Sequence, residues 1–119
     1  MIKVASQNVQ VLGLTSDVTG ALWFLETVPE KIGRMTLSGT IMDYTLPASQ
    51  SGLSGIAAAS DGPVWFVEQT ANTIGRITPA GVVAEYALST PRSDPLSIVA
   101  GPDGVWFTEL GTNTIGELS

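Results

Sequence analysis

Apolar residues along this chain fall in short stretches that turn-forming residues separate. Between residues 53 and 89, four such stretches are divided by Asp61-Gly62, by a polar loop at 70–73 and by Pro79-Ala80-Gly81. No segment of about 10 to 12 residues keeps a helical spacing of apolar residues without interruption by glycine or proline. The pattern therefore predicts four short strands, at residues 56–60, 64–69, 74–78 and 82–88.

This four-strand pattern is repeated along the chain. Trp-Phe pairs begin at residues 23, 65 and 106, and Ile-Gly pairs follow at residues 32, 74 and 115. Four short antiparallel strands in a period of roughly 40 residues are typical of one blade of a β-propeller. We therefore predict an all-β propeller fold with three four-stranded blade equivalents in the chain.

The repeat also predicts how the blades are bounded. Blade 1 is expected at residues 12–46, blade 2 at 54–88, and blade 3 at 96–119 without its outer strand. Residues 1–5 align with residues 85–89, so they correspond to the end of an outer strand. Many propellers close their ring by pairing an N-terminal strand into the last blade, which leaves no exposed edge.

Three blades are too few to close a ring, because propellers typically have four to eight. We therefore expect the ring to be completed by oligomerisation, as a homodimer with six blades in which each N-terminal strand completes the last blade of the other chain. A larger or non-closing assembly is the alternative.

Composition narrows the classes of partner. Eleven acidic and five basic residues give a net charge of −6, which disfavours nucleic acid because phosphate binding depends on basic clusters. No apolar run of about 18 residues predicts a membrane span. The chain has no cysteine and its start does not resemble a secretory signal, so a cytoplasmic location is expected.

A repeated glutamate is the best candidate for metal chemistry. Each Trp-Phe pair is followed by a glutamate at the third position from the tryptophan, and these residues are Glu26, Glu68 and Glu109. In a dimer, six such carboxylates could surround one mouth of the channel and hold Mg²⁺ or Ca²⁺, which take oxygen ligands. The alternative is that each accepts hydrogen bonds within its blade, with Arg34 and Arg76 as natural partners.

The links between blades, at residues 47–53 and 90–96, are expected to line one rim of the channel. Polar residues in or beside them are candidates for contact with a small-molecule ligand whose identity the sequence leaves open. The candidates are Ser49, Gln50, Ser54, Arg92 and Asp94.

The repeat resembles that of the virginiamycin B lyases, or streptogramin lyases. In blade 2 the resemblance is carried by residues 54–57, by Asp61-Gly62, by residues 65–68 and by residues 72–77, and it extends over essentially the whole chain. It implies the propeller fold. Active members of that family are single-chain, seven-bladed rings that linearise streptogramin B antibiotics by elimination, with a histidine base and Mg²⁺ held by glutamates.

The positions that match the family's catalytic histidine are Leu12, Ser54 and Leu96, and the chain has no histidine at all. None of these side chains can accept a proton near neutral pH. We therefore predict a self-assembling propeller module, structural or ligand-binding, with no catalytic residues and no required cofactor. The alternative is a divalent-metal-dependent lyase of the streptogramin B type.

Overall fold

The fold consists of short strands joined by tight turns. In a computed structural model, the described residues, 10–27, 30–46 and 52–118, form eleven strands and no helix. The strands are β1 (Val11–Ser16), β2 (Leu22–Glu26), β3 (Lys31–Met35), β4 (Ile41–Thr45), β5 (Leu53–Ala58), β6 (Val64–Glu68), β7 (Thr73–Ile77), β8 (Val83–Ala87), β9 (Pro95–Gly101), β10 (Gly104–Glu109) and β11 (Thr114–Leu118).

These strands form three antiparallel sheets in chain order, β1-β2-β3-β4, β5-β6-β7-β8 and β9-β10-β11, which we call blades 1, 2 and 3. The predicted all-β architecture of two four-stranded blades and one three-stranded blade is confirmed. The outer strand predicted at residues 1–5 lies outside the described residues. In the part of the chain that is described, no helix has the length and apolar character needed to cross a membrane.

The inner strand of blade 2 differs from the prediction, because it spans Leu53–Ala58 instead of residues 56–60. The pairing with β6 shifts register between Leu53 and Gly55, which marks a β-bulge. Gly55 lies inside this strand. A Cβ at this position would lie 2.7 Å from the carbonyl oxygen of Leu96 in the next inner strand. The glycine therefore reflects close approach of two inner strands and lies inside the strand.

The core lies between the faces of adjacent blades. Trp23 and Leu25 of blade 1 pack in one cluster with Phe66 of blade 2, and all three are fully buried. Val67 and Phe107 form the corresponding contact between blades 2 and 3. Alternate residues of each second strand therefore face the preceding and the following blade.

The repeated Ile-Gly pair has a packing cause. Gly75 lies opposite Phe66 in the sheet, and a Cβ on it would be 2.2 Å from the phenyl ring. Gly33 has the same relation to Phe24. The glycine of the third strand therefore allows each phenylalanine to lie flat across its own blade.

Candidate functional site

The three repeated glutamates are all buried inside their own blades. Their exposed fractions are 4% for Glu26, 0% for Glu68 and 9% for Glu109. Each ends the second strand of a different sheet. In the described ranges, no three acidic side chains gather closely enough to hold a metal ion. Within one chain the three glutamates therefore do not fit a divalent-metal centre, and the ring of six carboxylates stays a prediction for the oligomer.

Two of these carboxyl groups titrate far from the usual range. Burial raises the pKa of Glu68 to about 8, reinforced by a side-chain hydrogen bond with Glu85 and by the negative charge of that carboxyl group. Burial together with Asp43 raises the pKa of Glu26 to about 7. A buried carboxyl group beside another carboxyl group favours its neutral form. These groups carry much less charge at neutral pH than exposed glutamates would.

Arg34 and Arg76 are the predicted partners of the glutamates. Each lies on the face of its sheet that is opposite to the face with the glutamate. The guanidinium of Arg34 is 5.5 Å from the ring centroid of Trp23, and that of Arg76 is 5.7 Å from that of Trp65. Each arginine is directly opposite its tryptophan in the sheet. Because side chains alternate along a strand, the residue three positions after the tryptophan faces the other way.

A buried aspartate that the sequence analysis missed anchors the Trp23 face. Asp17 accepts a hydrogen bond of 2.8 Å from Nε1 of Trp23 and forms an ion pair of 3.7 Å with Nε of Arg34. Its other oxygen accepts bonds from the backbone N–H groups of Thr19 and Ala21. These hydrogen bonds lower the pKa of Asp17 to about 2 although burial opposes the shift. The repeat does not reveal this aspartate, because blades 2 and 3 have Ala59 and Gly101 at the equivalent positions.

The candidate rim residues are held by the links between blades. Ser54 donates a hydrogen bond of 2.9 Å to the carbonyl of Leu96, and Asp94 accepts one from the side-chain amide of Gln69. Arg92 is exposed, with a backbone φ of 53°. Ser49 and Gln50 lie outside the described residues. Ser54 and Asp94 therefore already make contacts that fix blade 3 against blade 2.

Two further residues that the sequence analysis missed fix these links. Asn72 accepts hydrogen bonds from the backbone and the hydroxyl of Ser93, at 3.2 and 2.6 Å. Glu30, at the equivalent position of blade 1, accepts bonds from the N–H groups of Gly52 and Leu53 at 2.9 and 3.0 Å. Asn72 has a left-handed φ of 56°, which asparagine tolerates better than most residues. Their common position, just before the third strand, is the signal that could have identified them.

An exposed apolar surface covers the outward side of blade 3, which we call the end face. It is formed by Val99, Trp106 and Ile115, whose exposed fractions are 60%, 44% and 71%. A shallow groove of about 380 Å³ runs over it. Exposed apolar surface of this kind commonly marks a site of association.

Comparison with known proteins places this geometry in a family. The sequence profile of the Virginiamycin B lyase family matches residues 2–119. No curated protein matches the chain significantly.

Solved structures resemble the chain closely. The selenomethionine-substituted virginiamycin B lyase from Staphylococcus aureus is 42% identical with a TM-score of 0.86, over 92% of this chain and 38% of that one. A catalytically inactive variant of that lyase with quinupristin is 36% identical with a TM-score of 0.92, over 99% of this chain and 41% of that one. A streptogramin B lyase structure is 40% identical with a TM-score of 0.78, over 89% of this chain and 39% of that one.

The chain thus spans about two fifths of the length of these relatives, 38% to 41%. A nidogen/laminin complex shares the fold alone, at 15% identity with a TM-score of 0.67.

Proposed function

Because the chain belongs to the virginiamycin B lyase family, we propose that it is a self-assembling β-propeller repeat module, structural or ligand-binding, whose partner is a second copy of itself. The observation that carries the proposal is the exposure of the end face of blade 3. Trp106 is 44% exposed there, whereas the equivalent Trp23 of blade 1 is fully buried.

The contacts inside the chain indicate what such a face packs against. Ile32 is buried beside Phe66 of the following blade, and Ile74 beside Phe107. Ile115 is the equivalent residue of blade 3, and it is 71% exposed. Full burial of a side chain of this size stabilises by about 1.5–3 kcal/mol. The expected occupant is therefore a blade face that presents a phenylalanine and its aliphatic neighbours.

At the other end of the chain, blade 1 exposes the aliphatic neighbour of its phenylalanine, while Phe24 itself is 2% exposed. Leu14 lies opposite Phe24 in the sheet, as Ile56 lies opposite Phe66 in blade 2. Ile56 packs against the core between blades, whereas Leu14 is 64% exposed. The end face of one copy and the Leu14 face of another therefore have matching residue types.

Contact between unlike ends of identical chains forms a ring when the rotation closes. Two copies with three blades each would give six blades, which lies within the usual range for propellers. We therefore favour a homodimer with a two-fold axis along the channel. Residues 1–5, aligned with the end of an outer strand, would pair with the free edge of β11 in the partner.

The test compares two charge substitutions in the full chain by sedimentation velocity. Ile115→Glu places a carboxylate in the proposed interface, so it should weaken association by at least about tenfold. Val82→Glu is the matched control, because Val82 is 64% exposed but lies in the turn between β7 and β8. Association of Ile115→Glu at the wild-type level would contradict the proposal, provided circular dichroism shows that it is folded.

Family membership favours a second candidate, a divalent-metal-dependent lyase acting on streptogramin B antibiotics. The related structures are named as virginiamycin B and streptogramin B lyases. Against it, Leu12, Ser54 and Leu96 take the place of the family's histidine.

The two candidates are separated by incubating the chain with quinupristin and Mg²⁺ and following the antibiotic by liquid chromatography. The module proposal predicts no linearised product. A product that forms with the wild-type chain and is lost with Glu68→Gln would show that the chain is a lyase.

A further inference from the structure

Blade 1 contains a complete internal site for a carboxylate. The carboxylate of Asp17 lies between Nε1 of Trp23, at 2.8 Å, and Nε of Arg34, at 3.7 Å. Tyr44 stacks on the far side, with its ring centroid 5.8 Å from that of Trp23. The tryptophan is fully buried in this arrangement.

Blade 2 repeats the cationic and aromatic parts of this arrangement without the carboxylate. Arg76 lies 5.7 Å from the ring centroid of Trp65, and Tyr86 stacks on that ring at 5.9 Å. Ala59 stands at the position of Asp17, and its N–H bonds to the carbonyl of Pro63 as that of Asp17 bonds to Ala21. The backbone corner is thus conserved between the two blades, while the acidic side chain is replaced by a methyl group.

Beside blade 2, a pocket of about 370 Å³ lies at the position that is equivalent to the Asp17 carboxylate of blade 1. It is lined by Ala59, Trp65, Arg76 and Tyr86 on blade 2 and by the β9–β10 turn and Leu118 on blade 3. Trp65 is only partly buried, unlike Trp23. Within the described ranges, no residue accepts a hydrogen bond from Nε1 of Trp65, and no carboxylate lies within ion-pair distance of Arg76.

We propose that this pocket binds a small monocarboxylate, whose anionic group takes the place that the Asp17 carboxylate has in blade 1. Nε1 of Trp65 and the guanidinium of Arg76 bind the carboxylate, and the apolar body of the ligand packs against Tyr86 and Leu118. Hydrogen bonds between charged groups are stronger than neutral ones, so the carboxylate supplies most of the specificity.

The charges around the pocket define the ligand class more closely. Asp61 and Asp103 line its rim and are exposed, and the whole chain carries a net charge of −6. A phosphate or a dicarboxylate would meet this negative potential with two charges, whereas a monocarboxylate brings only the one that Arg76 balances. The pocket of about 370 Å³ is larger than a single aromatic ring needs, so a monocarboxylate with a body of one ring or more fits it.

The site is particular to blade 2. Blade 3 has Gly101 at the aspartate position but Glu117 in place of the arginine, directly opposite Trp106. In blade 1, the carboxylate of Asp17 already occupies this position. An outer strand added to blade 3 would narrow the pocket beside Tyr86, as Gly81 at the end of the β7–β8 turn of blade 2 approaches the ring of Tyr44. The proposed position of the ligand carboxylate is beside Ala59, next to the inner strand β5, and the added outer strand would lie at the other edge of the blade.

The test is a titration of the ¹⁵N-labelled full chain with benzoate, observed through the three tryptophan indole N–H signals in NMR spectra. The Trp65 signal, assigned with Trp65→Phe, should shift saturably, and those of Trp23 and Trp106 should not. Benzamide, which has the same shape and no charge, should shift it at least about tenfold less at equal concentration. An equal response to benzamide, or none to benzoate, would overturn the proposal.

Two variants test the assigned contacts. Ala59→Asp recreates the blade 1 arrangement, so it should abolish the benzoate response and move the Trp65 signal towards that of Trp23. Arg76→Gln should weaken binding about tenfold, and it serves alone if Ala59→Asp does not fold. Lys31→Gln removes a cation on β3 of blade 1, away from the pocket, and should leave binding unchanged. A benzoate response that survives Arg76→Gln unaltered would contradict the proposed site. All the residues that line the pocket belong to one chain.

Discussion

At the scale of single residues, two buried carboxyl groups show how the surroundings decide a side chain's charge. Asp17 faces an arginine, an indole N–H and two backbone N–H groups, and its pKa is lowered to about 2. Glu68 faces another carboxylate, and its pKa is raised to about 8. One is therefore a fixed negative charge at neutral pH, whereas the other is largely protonated.

The raised pKa of Glu68 predicts a dependence of stability on pH. The folded chain holds this proton more tightly than the unfolded chain, whose ordinary value is 4.5. The free energy of unfolding should therefore fall as pH rises from about 5 to 8, by a few kcal/mol. Glu68→Gln mimics the neutral form, so urea unfolding should show a smaller slope with pH and a more stable protein at pH 8.

Glu117→Gln provides the control for this measurement, because Glu117 lies exposed on β11. It should keep the wild-type slope. A wild-type slope in Glu68→Gln would show that Glu68 is not protonated in the fold.

Which residues could be predicted from sequence depended on whether they repeat. The Trp-Phe and Ile-Gly pairs occur three times, so their place in the blades was predicted correctly. Asp17 occurs in one blade only, and Asn72 recurs in blade 3 as Asn113 but has glutamate as its counterpart in blade 1. Their roles follow from hydrogen bonds to residues of distant turns and links, which the spacing of residue types does not encode.

At the scale of the strand, the repeat predicted the strands well because each blade alternates a buried apolar stretch with a tight turn. The inner strand of blade 2 begins three residues and ends two residues earlier than predicted, because it continues through a bulge at Gly55 against the next inner strand. A glycine in a single sequence does not distinguish a turn from a close approach of two backbones.

The third-strand glycine gives a prediction about packing. Gly75→Ala places a Cβ 2.2 Å from the ring of Phe66, so the ring must move and the chain should lose about 1–3 kcal/mol of stability in urea unfolding. Gly101→Ala is the matched control within a strand, because the nearest atom would be 3.6 Å away. Equal stability of both variants would contradict the packing described for the Phe66 ring.

The proposed strand exchange is tested by removing residues 1–5. The free edge of β11 would then stay unpaired, so association measured by sedimentation should weaken. Unchanged association would count against strand exchange, and it would leave packing of the end face as the source of assembly.

At the scale of the whole molecule, the three blades form an arc with unlike apolar ends. Trp106 and Ile115 at one end and Leu14 at the other are exposed, whereas their counterparts between blades are buried or partly buried. The family profile matches residues 2–119, and the related lyases are more than twice as long. Self-assembly that buries the exposed apolar surfaces of blades 1 and 3 is therefore the main proposal for this chain.

The mass of the intact chain in solution tests that claim most directly. Native mass spectrometry, with light scattering over a range of protein concentrations, should give a species of twice 12.4 kDa. A stable 12.4 kDa monomer at every concentration would contradict the self-assembling ring.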